Sequence, residues 1–149
     1  MPIIQTLSTL FERDLLQVKL ELSLYKNENT IWQVAPHINK SAGNLALHLI
    51  GNLNTYIGAE IGKTGYVRNR PLEFSAKHIP RAQVMQMLQD TIEVVKTSLA
   101  TMDERLLEQE YPLLVFENKT STEYFLVHLA THLGYHLGQI NYHRRLLDN

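Results

Sequence analysis

A chain of 149 residues with 14 Lys+Arg against 15 Asp+Glu carries a formal net charge of -1, which offers no field to draw nucleic acid or an anionic membrane surface. Without cysteine it has no disulfide, no thiolate nucleophile and no cysteine-ligated metal, so catalysis would fall to histidine, carboxylate or a metal. The length suits a single domain spanning residues 1–149, enough to bury about two-thirds of the surface its unfolded chain exposes.

Apolar residues Ile3, Leu7, Phe11, Leu15, Val18, Leu22 and Tyr25 recur at steps of four and three, which predicts a first helix over residues 2–27 with one face on a core. Glu12, Arg13 and Asp14 break this stretch where a signal peptide needs an unbroken apolar core. No apolar run approaches the roughly 18 residues of a membrane span, so the expected location is the cytoplasm. After a loop-like stretch of Asn, Pro and Ser, a second helix runs from about Ser41 to near Gly62 or Gly65, with Leu45, Leu49, Leu53, Tyr56 and Ile57 as its buried stripe.

Residues 63–79 hold Gly, Pro and scattered charge without periodicity and read as a long connection. Its basic residues Lys63, Arg68, Arg70 and Lys77, with Arg81 just beyond, read as solvated loop charges, with attraction of an anionic substrate to a site mouth as the alternative. Pro80 fits the first turn of a third helix, carried by Val84, Leu88, Thr91, Val95 and Leu99 to about residue 101. The next segment is acidic, with Asp103, Glu104, Glu108 and Glu110 read as solvated, and then briefly strand-like. Thr120 and Glu123 have capping-box spacing, and a last helix follows to about Leu147. The expected architecture is an all-α four-helix bundle with long connections between helices two and three and between three and four.

Histidine stands out on the last helix, where His128, His132, His136 and His143 share an arc of about 80° bordering the apolar stripe. His132 and His136 lie one turn apart, roughly 6 Å along the axis, so both imidazoles can reach one ion. Spacing alone makes 128/132 as good a pair as 132/136. His128 and His143 are too far along the axis to join a site centred on 132/136, and they read as packed residues with local hydrogen bonds. A bundle site needs ligands from a second helix, and His48 on helix two is the obvious donor. Asn52, one turn on, projects onto the buried stripe, where an amide needs a partner and could orient a ligand or meet substrate. His37 and His78, in loops near proline, read as surface residues. Three neutral imidazoles and an open position are the arrangement of catalytic zinc and related sites.

The run "HLGYHLGQI", together with "LALHLIGNL" on the earlier helix, resembles the DinB/YfiT-like superfamily of metalloenzymes over essentially the whole chain. The resemblance implies that His48, His132 and His136 bind one divalent metal, nickel or zinc, with Gly138 and Gln139 as the family's Gly-Gln step. It further implies a four-helix bundle, usually a homodimer, and in some relatives transfer of a low-molecular-weight thiol such as bacillithiol or mycothiol. Many members carry arginine directly after the second histidine of the pair, where this chain has Leu137.

The leading expectation is therefore a metal-dependent transferase joining a small thiol to a small-molecule electrophile, with Asn52 and Gln139 near substrate. An alternative is metal-dependent hydrolysis of a small substrate, disfavoured because no carboxylate stands beside the ligands as in H-E-x-x-H. Another is a non-catalytic dimeric metal-binding scaffold. Ferritin-like di-iron chemistry lacks its Glu-x-x-His pairs, and nothing positive marks a haem site.

Overall fold

Ile4, Leu7, Phe11, Leu15, Val18 and Leu22 lie along one stripe of the first helix, α1 (Pro2–Leu24), all of them buried. The computed structural model describes residues 2–149. Among these, α1 is followed by α2 (Ala42–Leu53), α3 (Arg70–Ser75), α4 (Arg81–Ala100) and α5 (Thr122–Leu147), with no strand. α1 packs on α4 and α5, and α2 packs on the same two helices, so the four long helices enclose one core. The result is the all-α four-helix bundle that the apolar periodicity implies.

α1 ends at Leu24, three residues early, because the Asn27 side chain accepts a hydrogen bond from the Asn29 amide and starts a separate 3-10 turn, Glu28–Trp32. Ser41 caps α2 by accepting from the Asn44 amide. Every residue of α2 is buried rather than one stripe only, since the short α3 covers the side that would otherwise face water. Beyond Leu53 the helix widens into a π-turn over Asn54–Ala59, with the Glu60 amide donating to the Thr55 carbonyl at 3.2 Å.

α3 corrects the reading of residues 63–79 as plain connection. Asn69 caps it by accepting from the Leu72 amide, and Pro71 sits in its first turn, but six residues are too few to show a period. Pro80 is the residue before α4 rather than inside its first turn, and Val84, Leu88, Thr91, Val95 and Leu99 form the buried stripe as expected. The strand-like segment contributes only an isolated bridge between Glu110 and Ser121. That bridging engages the Thr120 carbonyl with the Tyr111 amide, so α5 starts one residue late: Ser121, not Thr120, caps it by accepting from the Tyr124 amide.

His143 is packed, but its hydrogen bonds are long-range rather than local. Its Nδ1 lies 2.6 Å from the Tyr25 hydroxyl and its Nε2 2.7 Å from the Gln33 carbonyl, tying α5 to the chain that follows α1. Glu21 of α1 adds a buried link, accepting from Arg144 and Asn141 at 2.8 Å each. No helix of the described residues is long and apolar enough to cross a membrane.

Candidate metal centre

α2 and α5 pack side by side, which brings His48 of the first against His132 and His136 of the second. The His132 Nε2 lies 3.3 Å from the His48 Nε2 and 3.1 Å from the His136 Nε2. The opposite nitrogens decide what these three atoms carry. His48 Nδ1–H donates to Glu73 Oε1 at 3.1 Å, and His136 Nδ1–H donates to Gln139 Oε1 at 2.7 Å. With their single protons so engaged, both neutral rings turn an Nε2 lone pair into the cluster.

His132 has no such anchor, because its Nδ1 is buried without a partner. One Nε2–H on His132 cannot fully satisfy two facing lone pairs, whereas a cation among the three nitrogens satisfies all of them. Ligand atoms on a tetrahedral zinc with bonds of about 2.0–2.1 Å stand roughly 3.3 Å apart, close to the spacings here. The donor set fits a divalent transition metal, and these three residues could hold one.

Electrostatics points the same way. Burial, with the neighbouring His136, pushes the pKa of His48 and of His132 down to about 4, and burial lowers that of His136 as well. All three are neutral near pH 7, the form in which imidazole is a ligand.

The support for His48 comes from α3, within residues 63–79, a stretch without sequence periodicity. Glu73, on α3 and 6 % exposed, is held by Arg68, whose Nε donates to Oε2 at 2.9 Å and Nη2 to Oε1 at 3.0 Å. Arg68 is thus a half-buried partner of Glu73 and not a solvated loop charge. α3 approaches closely because α2 carries glycine at the crossing: a Cβ on Gly51 would lie 1.8 Å from Glu73 Oε2. Neither Glu73 nor Arg68 belongs to a recognisable motif. The one sequence signal that could have found them was a glycine in an otherwise apolar helix, three residues after His48.

Asn52 is buried with its Oδ1 unpartnered, and it lines a cavity of about 400 Å³ together with His48, His132, His128, Arg68 and Arg70. A second cavity, of about 300 Å³, reaches His136 and Gln139 with Lys40 and Tyr142 on its wall. The histidine cluster therefore stands between two spaces, with no carboxylate on either wall among the described residues. His128 packs edge-on to Phe116 at 4.6 Å and stays outside the cluster. His37 and His78 are exposed loop residues, at φ of 64° and 59°.

A sequence model of the DinB superfamily matches residues 9–140, from within α1 to within α5. The chain belongs to the DinB superfamily. Neither a search of curated proteins nor one of solved structures returned a match. Within this DinB-superfamily chain, Leu137 is half-buried against the core, so the position after His136 offers no charge to a ligand.

Proposed function

We propose that this protein is a metal-dependent transferase that joins a low-molecular-weight thiol to a small electrophile, with His48, His132 and His136 holding zinc or nickel. The observation that carries the reading is the convergence of three imidazoles, with His132 Nε2 3.3 Å from His48 Nε2 and 3.1 Å from His136 Nε2, and with the two outer rings oriented by hydrogen bonds from their far sides. When bound, a divalent metal supplies the charge that keeps a thiol deprotonated at neutral pH. Every other part belongs to the chain. Glu73 fixes the ring of His48, Gln139 fixes that of His136, and Asn52 lines the larger cavity beside His48 and His132.

Transfer is favoured over hydrolysis by the position of the one carboxylate near the cluster. Glu73 faces the Nδ1 edge of His48, away from the converging nitrogens, and is gripped by Arg68, so it has no free oxygen to take a proton from water. Two cavities meeting at one cluster also suit a reaction of two substrates.

The test is elemental analysis of tag-free protein, parent against His132→Ala/His136→Ala, followed by thiol consumption with a panel of small electrophiles. About one metal per parent chain, absent from the variant, with metal-dependent loss of thiol, is the expected result. A parent that takes up neither zinc nor nickel overturns the reading.

A further inference from the structure

Glu73 and Gln139 hold the two outer imidazoles of the cluster, and the middle one, His132, has no partner of that kind. Its Nδ1 is one of three buried side-chain atoms without a hydrogen bond among the described residues; the others are Asn52 Oδ1 and Thr55 Oγ1. Such orphans are few in native proteins, because each leaves its desolvation cost uncompensated. Water does not reach these atoms, so their partners must come from within the site.

Helix register sets Asn52 against His132. The His48 ring lies 5.1 Å from that of His132 and 5.2 Å from that of His136, while Tyr56, in the π-turn that continues α2, lies 5.2 Å from the Phe125 ring. Rising numbers on α2 thus meet falling numbers on α5, and Asn52, midway between 48 and 56, stands level with the turn Leu129–His132. Side chains lean toward the N-terminus of their own helix, so on antiparallel helices Asn52 and His132 lean toward one another. Both line the cavity of about 400 Å³.

The chemistry of the two atoms depends on the metal. Without one, His132 keeps its proton on Nε2 between two neighbouring lone pairs, and Nδ1 and Oδ1 are both acceptors that cannot satisfy each other. A ring that ligates through Nε2 carries its proton on Nδ1 and becomes a donor. We infer that Asn52 is the positioning residue of His132: with a divalent metal at the cluster, His132 Nδ1–H donates to Asn52 Oδ1. Each ligand then has its own acceptor, in Glu73, Gln139 and Asn52. The inference rests on the metal site of the transferase reading but not on its thiol chemistry.

The test is competition with a chromophoric chelator for zinc, and for nickel if zinc is refused, by parent, Asn52→Leu and Thr55→Val. Asn52→Leu should bind about 10–100-fold more weakly, the scale of a lost partner behind a ligating imidazole. Its chelator-treated form should withstand urea as well as the parent or better, because the substitution removes an unpaired buried amide. Thr55→Val, which removes the third orphan, should keep the parent's affinity. Nitrogen NMR of the zinc-loaded parent should show His132 protonated at Nδ1 with the low-field proton shift of a hydrogen bond, a reading that stands even if a variant fails to fold. Equal affinity in Asn52→Leu, an equal loss in Thr55→Val, or a His132 Nδ1–H without that shift overturns the inference. Weakened metal binding in Asn52→Leu with no thiol consumption by the parent upholds it and overturns the transferase reading; thiol consumption with unchanged affinity does the reverse. A parent that takes up neither metal overturns both.

Discussion

Glu73 Oε1 lies 3.1 Å from His48 Nδ1 across 25 positions of sequence, and the same carboxylate accepts two hydrogen bonds from Arg68. A carboxylate behind a ligating imidazole fixes its tautomer and raises its basicity. Glu73→Ala should therefore weaken zinc binding about 10–100-fold, measured by competition with a chromophoric chelator. It also strands a half-buried guanidinium, so the variant should unfold at lower denaturant by the roughly 3–5 kcal/mol typical of a broken buried pair. Glu73→Gln keeps an acceptor oxygen and should lose less affinity than the alanine. Unchanged zinc affinity in Glu73→Ala would show that His48 is oriented without it.

Gly51 permits that arrangement without touching a ligand. A methyl group there would fall 1.8 Å from Glu73 Oε2 and 2.6 Å from its Cδ, so the carboxylate must move. On helix propensity alone, Gly51→Ala should stabilise α2 by about 1 kcal/mol. The expectation is the opposite in function: helical circular dichroism retained, zinc affinity reduced toward that of Glu73→Ala. A variant that is more stable and binds zinc as tightly as the parent would mean that α3 shifts without loss.

These two residues also mark where sequence reading stops. The stripes of α1, α4 and α5 repeat over five or more turns, and His132 and His136 share a face by spacing alone, so the bundle and two of the three cluster histidines are visible in the letters. His48 lies 84 positions from His132; the bundle argument makes it a candidate donor, and the resemblance to a family joins it to 132/136 rather than 128/132. Glu73 depends on a six-residue helix and on a missing Cβ, and His143 on partners 118 and 110 positions away. Such pairings are set by how elements pack, which local periodicity does not encode.

Metal loading should be readable as stability. A ligand that binds only the folded chain adds about 2.7 kcal/mol at a hundredfold excess over its Kd. For a chain of this size that is roughly 5–10 °C in Tm. Zinc or nickel should raise the parent's melting temperature by this order and leave His132→Ala/His136→Ala unmoved. An equal rise in both proteins would place the binding elsewhere.

Burial holds the pKa of His143 below its ordinary value, despite the Gln33 carbonyl that favours its protonated form. The folded protein therefore resists a proton that the unfolded chain accepts near pH 6.5. The stability tied to the neutral ring is fully present above that pH and is lost as pH falls through 6.5 toward the lower folded value. The chain has seven histidines, so the comparison must isolate this one: chelator-treated parent against His143→Gln, which cannot titrate but keeps polar atoms near Tyr25 and Gln33. At pH 7.5 the parent should be the more stable in urea, since its ring joins Tyr25 and Gln33 at 2.6 and 2.7 Å. At pH 5.5 the gap should narrow, because only the parent must exclude a proton from this position. A gap that stays constant or widens on acidification would show that His143 accepts its proton in the folded state.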